Sequence, residues 1–582
     1  MAVKVPPKRD VGDWLSEMNI AWNAITKQDF PDLGYEAGFL EQLEESIETI
    51  RAGGIKVITN AGALNTPSLT RRVQKLCDER GYDDLVVASV IGDDISDILR
   101  DPQRISGLRL QHLDHKEKQL ADWDLKPLCG NAYIGARGIR TALDAGADIV
   151  ICGRVTDASP VIGTAAWWHG WADQDYDQLA GALVAGHLIE CGPYVCGANF
   201  SGFKEFMPGL VDLAFPIAEI SPKGECVITK PESQAGRVTK FTVVAQLLYE
   251  LQGEMYLNSD VVADLRGVKV EETGATDRVR VSGAKGLPPP PTTKAIIAAP
   301  GGFQAEAMFY INGLDVHKKA EMMKVQIAYA FKDNNFSKLS VELYGSQTLN
   351  PVSQQEGTVM LRVFAQARTK EDIGRDKFMK AIYALRMQSY PGYHMSLDFR
   401  TMQPKPFMEM FPAIVNLDLL SHQVILPSSE SIFIPAPIET GQYPIFRPSY
   451  ETAEPVELST FGSTKRAPLG SVVHARSGDK ADNSNVGFFV RHEDEYPWLQ
   501  SLLTIESLEE LFGNDWNGRE GKSRVERCEF PNLLAVHFRI LDFLDGGIAS
   551  SARIDGLGKG IGEYLRSREV EVPVRFLARG GI

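Results

Sequence analysis

The stretch GADIVICGRVTDAS, residues 146–159, decides the fold of the chain. An amphipathic pattern precedes it over Ile139–Ala145, the glycine that opens it is suited to end that helix, and the apolar run Asp148–Cys152 predicts a buried strand. Ile55–Gly62 and Leu85–Asp94 have the same form, a strand that ends in small or acidic residues before a helical segment. This repetition of strand, turn and helix predicts a parallel, Rossmann-like α/β sheet for about the first 200 residues.

The sequence changes character twice after this sheet. From about Lys204 to Tyr450, irregular segments and isolated strands predict an α+β cover over the sheet. Pro and Gly without hydrophobic periodicity mark a linker at Phe433–Pro455. The strands and helices after it form a unit of roughly 115 residues, long enough for an independent α+β domain. We therefore expect a large α/β domain over residues 1–450 and a small domain over residues 466–582.

Composition and charge exclude several classes of protein. The chain has 582 residues, 44% of them hydrophobic and 24% charged, so it can bury sizeable cores. Its net charge is −15 and no segment concentrates Lys and Arg, which argues against a nucleic-acid partner. No apolar run could span a bilayer and no secretory signal opens the chain, so we expect a cytoplasmic protein without a membrane partner. Seven scattered cysteines fit a reducing compartment, and their spacing predicts no metal site.

Polar residues follow the strand of the opening stretch. Arg154, Thr156 and Asp157 come directly after it, at the carboxyl end of a predicted parallel strand, where open α/β sheets bind ligands. An arginine there can hold a carboxylate or phosphate, and an aspartate can take protons. The alternative is an ion pair between Arg154 and Asp157 that fixes the turn, with Thr156 or Asp157 capping the next helix.

The phrase HLIEC combines three reactive side chains. His187, Glu190 and Cys191 share one face if the phrase is helical, which is the geometry of a nucleophile beside a base. A cysteine at the end of an apolar helix is also typical of a buried small hydrophobic residue. We therefore keep His187 and Glu190 as polar site residues and Cys191 as a catalytic candidate with a structural alternative.

Two asparagines stand at expected strand-to-helix turns. Asn60 in TNAG and Asn131 in CGNAYIGARG could orient a carbonyl group of a ligand, and the glycines beside them expose backbone amides to an anion. Neither phrase matches GxGxxG or a phosphate-binding P-loop. The sequence therefore gives little support for nucleotide binding and identifies no cofactor.

The segment HARSGDKADNSN in the small domain is almost entirely polar after Ala475. We interpret it as a loop between two strands that contacts a ligand, or as a hydrogen-bonded Ω-like structure. Its candidate binding residues are Arg476, Ser477, Asp479, Lys480 and Asn483.

Long phrases along the chain carry a resemblance to a known family: GDWLSEMN (Gly12–Asn19), GADIVICGRVTDAS (Gly146–Ser159), AGHLIECG (Ala185–Gly192), VTKFTVVAQLLYE (Val238–Glu250), HARSGDKADNSNVG (His474–Gly487) and FPNLLAVHFRI (Phe530–Ile540). In these phrases the chain resembles the acyclic terpene utilisation protein AtuA family. The resemblance implies a large α/β domain to about residue 450 and a small ferredoxin-like domain after it. It also implies a strand and a Ser/Gly-rich loop ahead of Gly12, and we expect that first strand to be missing because only eleven residues precede Gly12.

These observations favour an enzyme that acts on a small carboxylate or acyl-thioester in terpenoid, branched-chain or related secondary metabolism. Asp157, Glu190, His187 and Lys480 are acid/base groups and no redox-cofactor motif occurs, which favours a hydratase or lyase. One alternative is a non-catalytic accessory or ligand-binding protein, and another is a thioesterase or acyltransferase that uses Cys191. The sequence does not decide the oligomeric state, so a homo-oligomer stays open.

Overall fold

The computed structural model describes residues 2–3, 9–207 and 209–582. Within these residues the largest sheet has eleven strands. In spatial order they are Lys269–Glu272, Val279–Ser282, Cys226–Thr229, Ile217–Ile220, Ala2–Val3, Arg9–Gly12, Lys56–Thr59, Ile149–Cys152, Val87–Ile91, Gln423–Ile425 and Ser431–Phe433. The strands predicted from the opening stretch and its repeats lie in the middle of this order.

The middle of the sheet is parallel and its two flanks are largely antiparallel. Arg9–Gly12, Lys56–Thr59, Ile149–Cys152 and Val87–Ile91 pair in parallel in that order. Parallel pairing needs a long crossover, which the helices of the first 200 or so residues supply, whereas the later hairpins add in antiparallel pairing. The expectation of a parallel, Rossmann-like sheet is therefore corrected: the chain is a mixed α/β protein with a mixed sheet.

A strand lies directly ahead of the GDW phrase. Arg9–Gly12 occupies the sheet position beside Lys56–Thr59, and Ala2–Val3 pairs with it in antiparallel fashion and with Ile217–Ile220 in parallel. The position beside Lys56–Thr59 in the sheet is therefore occupied, and the expectation of a missing first strand does not hold there. Residues 4–8 lie outside the described residues, so the expected change in the loop ahead of Gly12 stays a prediction.

Helices connect the parallel strands and cover both faces of the sheet. Thr66–Arg80 shows why the sequence folds this way: Pro67 stands in its first turn, and Gly81 ends it with a φ of 69°. The α-helices of the large part are Glu17–Asp29, Ala37–Ala52, Thr66–Arg80, Ser96–Leu99, Pro102–Leu108, Arg137–Asp144, Ser159–His169, Tyr176–Ile189, Lys240–Leu248, Val316–Ala330 and Met379–Ala384.

The expected cover contains a second sheet, built around the long strand Thr292–Asn312. This strand pairs in antiparallel fashion with four others. Three come from the cover, Thr358–Ala367, His394–Met395 and Lys405–Asn416, and one from the first part of the chain, Cys129–Ala132. Lys338–Tyr344 joins the sheet by pairing with Thr358–Ala367. Residues that precede Thr292–Asn312 in the chain form a separate small sheet of three strands, in the order Lys285–Leu287, Val262–Asp264 and Met255–Leu257. Pairing with Cys129–Ala132 ties the cover to the predicted α/β unit.

The C-terminal part has a four-stranded antiparallel sheet in the order Val473–Lys480, Asn483–Val490, Ala535–Leu541 and Arg524–Phe530. The strands Thr464–Pro468 and Glu569–Pro573 pair separately, and the helices are Tyr496–Leu502, Ile505–Phe512, Ile561–Ser567 and Val574–Leu577. One apolar core that runs from Phe461 to Phe576 lies inside this part. The expected strand in EVPVRFLA ends at Pro573, and a short helical turn follows it.

The segment before this core has no helix or strand over residues 434–457. Its residues Ser449–Thr452, which we call the strap, are held by Arg527: the guanidinium donates to the Tyr450 carbonyl at 3.0 Å and to the Thr452 hydroxyl at 3.1 Å. The large part and the C-terminal part also share apolar packing, because Phe489 and Phe530 belong to the core that contains the helix Tyr176–Ile189. The expected boundaries at 450 and 466 stay predictions. Within the described residues no helix has the length and apolar character needed to cross a membrane.

Candidate functional site

The carboxyl ends of the parallel strands meet the C-terminal sheet, and most of the predicted site residues lie there. Asp13 follows the strand Arg9–Gly12, and Asn60 follows Lys56–Thr59. The Asn60 side-chain amide donates to the Asp13 carboxylate at 2.7 Å, and the Asn60 side-chain oxygen accepts from the Trp14 backbone N–H at 2.7 Å. Asn60 therefore fixes the backbone turn that presents Asp13.

Arg154 is buried at the next strand end, where both of its terminal nitrogens have partners. Its guanidinium forms an ion pair with Asp157, donates to the Leu15 carbonyl at 2.8 Å, and lies 3.9 Å from the ring centre of Tyr133. Its backbone N–H donates to the Asp93 carboxylate at 2.8 Å. The ion pair considered in the sequence analysis is thus present, and it leaves Asp157 as the partly accessible member, with 19% of its side chain exposed against 3% for Arg154.

Asn131 and Thr156 form hydrogen bonds with buried side chains near Arg154. Asn131 donates to the Asp93 carboxylate at 2.8 Å, and the Thr156 hydroxyl accepts from Asn258 at 2.7 Å and contacts the Ser159 hydroxyl at 2.6 Å. The expectation that Asn131 stands at a strand-to-helix turn is wrong, because it lies inside the strand Cys129–Ala132 of the second sheet. Both residues therefore help to hold the residues at the strand ends in place.

The HLIEC phrase is helical only in part. The helix ends at Ile189, Glu190 is its C-cap, and Cys191 has a left-handed backbone with φ of 58°. Cys191 therefore does not share a helix face with His187, and the alternative of a buried cysteine is also corrected, because the residue is exposed. Although the residue is exposed, the protein packed around it removes water from the thiol, and together with the negative charges of Glu190 and Glu250 this raises the pKa of Cys191 well above its usual value.

His187 and Glu190 form a buried pair. The His187 Nδ1 atom lies 3.2 Å from the Glu190 carboxylate, and its Nε2 atom lies 3.1 Å from the Leu247 carbonyl. Because a carbonyl can only accept, the proton of the neutral ring belongs on Nε2, and Nδ1 is the atom that faces the Glu190 carboxylate. Burial lowers the pKa of His187 but Glu190 outweighs it, so the net shift is upward. Burial also raises the pKa of Glu190.

The polar HARSGDKADNSN segment is a β-hairpin, so its interpretation as a loop is wrong. Its two strands, Val473–Lys480 and Asn483–Val490, are joined by a turn of two residues. Lys480 forms an ion pair with Glu250 of the large part, and the Ala481 backbone N–H donates to Glu17 at 3.1 Å. The hairpin therefore closes over the strand ends.

The candidates of the hairpin divide into two groups. Arg476, Asp479 and Lys480 act electrostatically on the cluster of charges at the strand ends, whereas Ser477 and Asn483 have structural partners. The Ser477 hydroxyl donates to the Lys559 carbonyl at 3.1 Å. The Asn483 amide donates at 2.8 Å to Asp114, a partner of the buried Arg539.

Charges from both parts of the chain set the pKa values of this cluster. Burial, followed by the charges of Asp157 and Glu190, raises the pKa of Asp13 to about 7. Burial and Glu250 likewise raise the pKa of Asp479 to about 7. Asp157 behaves in the opposite way, because Arg154 and Lys480 outweigh its burial and lower its pKa.

Two cations in the cluster stay charged for the same reason. Burial disfavours the charged form of Lys480, but Glu250, Asp157 and Glu190 outweigh it and raise its pKa well above the usual value. Lys294 forms a 2.6 Å ion pair with Glu17, which also raises its pKa against the effect of burial. The cluster can thus hold carboxyl groups in both protonation states next to fixed positive charges at neutral pH.

Sequence reasoning missed several residues in and around the cluster: Asp13, Glu17, Tyr194, Tyr249, Glu250 and Lys294. Asp13 had a usable signal, since it follows a short strand in the same way that Arg154 does. Glu250 and Lys294 had none, because they come to the site from the cover through contacts that are distant in sequence. Among the described residues no group of three or more His, Cys, Asp or Glu side chains is arranged to hold a metal ion.

Comparison with known families covers most of the chain. The family described as acyclic terpene utilisation family protein AtuA matches residues 6–426, and the AtuA ferredoxin-like domain matches residues 467–571. The first match spans more than half of the chain, and the second identifies the C-terminal unit as ferredoxin-like. No curated protein and no solved structure gave a match.

Proposed function

The chain belongs to the acyclic terpene utilisation family AtuA, and from that premise we propose that it is an enzyme that acts on a small carboxylate or acyl-thioester by acid/base chemistry. The family links the chain to acyclic terpene utilisation. A hydratase or lyase reaction in terpenoid or branched-chain metabolism is the chemistry that we propose for it.

The observation that carries the proposal is the contrast between Asp13 and Asp157. Burial and the charge of Asp157 raise the pKa of Asp13 to about 7, whereas Arg154 and Lys480 lower the pKa of Asp157. Pairs of titratable groups whose pKa values are driven apart in this way are typical of acid/base sites. A group with a pKa near neutrality both takes and gives a proton efficiently at physiological pH.

The neighbouring groups supply what a dehydration or hydration requires. In a dehydration, the Asp13 carboxylate takes a proton from the carbon next to the carbonyl, and a protonated carboxyl such as Asp479 gives one to the departing hydroxyl. Water is lost and no oxidant is needed. Lys480 keeps its positive charge and would stabilise the negative charge that develops on the carbonyl oxygen. Of the Lys480 side chain, 33% is exposed.

The two alternatives predict different behaviour. A thioesterase that uses Cys191 needs a thiolate, but the raised pKa of this thiol disfavours the thiolate at neutral pH. A non-catalytic ligand-binding protein needs no group that titrates near pH 7, although it tolerates one. The contrast between Asp13 and Asp157 therefore favours the acid/base enzyme over both.

The test is solvent exchange and turnover with a panel of branched-chain enoyl and hydroxyacyl thioesters and the matching free acids. In deuterated water the wild-type protein should exchange the proton next to the carbonyl, and Asp13→Asn should lower the rate by roughly 100-fold or more with little change in KM. Asp29→Asn, at an exposed helix end, is the matched control. Absence of exchange and turnover over the whole panel would favour the non-catalytic alternative, and loss of turnover in Cys191→Ser alone would favour the thioesterase.

A further inference from the structure

Two cations of the C-terminal part, Arg476 and Lys559, have no carboxylate partner in the part of the chain that the structure describes. Arg476 is 3% exposed, and its guanidinium donates through Nη1 to the Asn199 carbonyl at 2.7 Å. Its Nη2 atom is buried without a hydrogen-bond partner among the described residues. The Lys559 ammonium donates to the Tyr194 hydroxyl at 2.9 Å. Within the described residues, neither cation has a carboxylate at ion-pair distance.

Both cations lie against the same two aromatic rings, those of Tyr194 and Tyr249. The Arg476 Cζ atom is 4.4 Å from the ring centre of Tyr194 and 4.3 Å from that of Tyr249. The Lys559 Nζ atom is 5.2 Å and 5.9 Å from the same two centres. The rings attract both cations through their faces, but they carry no net charge to neutralise them. Both positive charges therefore lie against the same two rings, and Glu250, a carboxylate that acts on both, lies beyond ion-pair distance from them.

Three other cations at the domain contact are paired with carboxylates. Arg154 is paired with Asp157, Lys480 with Glu250, and Arg539 with Asp114 and Glu526. Burying a charge without a counter-charge is costly, and burial accordingly lowers the pKa of Arg476. In a chain with a net charge of −15, carboxylates are abundant, so the missing partner is a specific feature of this place.

We infer that Arg476 and Lys559, together with the Tyr194 hydroxyl, form a binding site for an oxyanion of the substrate, either a carboxylate or a phosphate. The inference rests on the proposed function in one respect, that the anion belongs to the substrate of that site. The planar guanidinium and the ammonium provide the hydrogen-bond donors that both kinds of oxyanion require. This assigns Arg476 and Lys559 of the C-terminal domain, with Tyr194 of the large domain, to anion binding, and leaves proton abstraction to Asp13.

The fold holds Lys559 in place for this role. The Asp555 carboxylate accepts from the backbone N–H groups of Lys559, at 3.1 Å, and Gly560, at 2.9 Å. The Ser477 hydroxyl, on the strand that carries Arg476, donates to the Lys559 carbonyl. Strand and turn are therefore linked, so the two cations keep a fixed separation before a ligand binds, which lowers the entropic cost of binding.

Cys191 gives direct access to a test. It is the exposed one among the seven cysteines, the other six are buried, and its charge interacts with both Arg476 and Lys559. An anion on these cations should therefore slow alkylation of this thiol. We would measure the alkylation rate of the native full-length protein at constant ionic strength, with inorganic phosphate, an acyclic monoterpenoid carboxylate, or the coenzyme A thioester of that carboxylate. Calorimetry would give the affinities of the same probes.

The expected result is that at least one probe slows alkylation in the wild-type protein, and that Lys559→Met weakens its binding roughly ten- to hundred-fold, the range for a lost hydrogen bond to a charged group. Lys465→Met, an exposed lysine of the same domain, should bind like the wild type. Protection by the free carboxylate assigns the site to that group, and protection by phosphate and the thioester alone assigns it to the phosphate of a carrier.

Three outcomes would overturn the inference: no probe protects or binds, Lys559→Met binds as tightly as the wild type, or Lys465→Met weakens binding as much as Lys559→Met. Arg476→Met is the second variant, and its melting temperature shows whether it is folded before its affinity is read. These readouts do not depend on turnover. Binding without turnover would support the anion site and contradict the acid/base proposal. Turnover together with unchanged affinity in Lys559→Met would support the acid/base proposal and contradict the anion site.

Discussion

Replacing Asp13 by asparagine should make the protein more stable, and the gain should grow as the pH rises. The Asn60 amide donates to the Asp13 carboxylate at 2.7 Å, and the amide oxygen of an asparagine side chain can accept the same hydrogen bond. The substitution therefore removes the charge with little change in shape. What it relieves is the burial of that charge and its repulsion by Asp157 and Glu190.

The magnitude follows from the two pKa values of Asp13. The usual value is 3.8, which applies to the unfolded chain, and the folded value is about 7. At a pH between these two pKa values, the carboxyl group has released its proton in the unfolded chain but retains it in the folded protein. The free energy of unfolding therefore falls by about 1.4 kcal/mol per pH unit in this range. The loss is complete above about pH 7 and amounts to at most about 4 kcal/mol. Below pH 3.8 the group contributes no loss.

Urea denaturation of both proteins at several pH values, followed by tryptophan fluorescence, measures this difference. Asp13→Asn should gain about 1.5 kcal/mol over the wild type near pH 5 and about 4 kcal/mol near pH 8. Asp29→Asn, which is exposed, should show no such trend. A difference between Asp13→Asn and the wild type that stays constant with pH, or that falls as the pH rises, would show that Asp13 is ionised in the folded protein throughout this range and would refute the reasoning.

Three further predictions concern other parts of the molecule. Glu190→Gln should leave the His187 ring neutral at pH 7, because burial then acts without the opposing carboxylate, and a His187 imidazole resonance that still titrates above its usual range would contradict this. Alkylation of the native protein should modify Cys191 alone, because it is the exposed residue among the cysteines, and several-fold more slowly than free cysteine at pH 8, because the pKa of its thiol is raised. Fast labelling, or labelling that persists in Cys191→Ser, would count against this. Arg527→Met should destabilise the C-terminal domain by about 3 to 5 kcal/mol and extend proteolytic cleavage of the linker into the strap. The side chain of Arg524 is half exposed, so Arg524→Met should have neither effect.

The middle of the large sheet and the residues at its strand ends were predictable from the sequence. Parallel strands are adjacent to their own helices in the chain, so a repeated local pattern is enough to place Asn60, Arg154 and Asp157 at one edge of a sheet. The flanks were not predictable, because antiparallel hairpins from residues beyond 200 join this sheet through pairings that leave no local signal. Asn131 shows the same limit, since its strand pairs with Thr292–Asn312 far along the chain.

The hairpin of the C-terminal domain was misinterpreted for a different reason. A strand is recognised by apolar residues on alternate positions, which report burial against an apolar surface. Arg476, Ser477 and Asn483 are buried, but against carbonyls, hydroxyls and carboxylates of other segments, so the alternation is absent. Buried polar side chains of this kind give a strand the composition of a loop. The position of Cys191 had no sequence signal either, because a left-handed backbone at a non-glycine residue is uncommon.

Contact between the two domains and the protonation of the site depend on each other. The positive charge of Lys480, from the C-terminal domain, lowers the pKa of Asp157 and opposes the rise in the pKa of Glu190, both from the large domain. If the hairpin moved away, both carboxyl groups would lose this cation and hold their protons more tightly. By reciprocity, protonating them weakens the attraction that holds Lys480 at the strand ends. An anionic substrate on Arg476 and Lys559 would act on the same balance from the C-terminal side, so binding, domain contact and proton affinity belong to one electrostatic equilibrium.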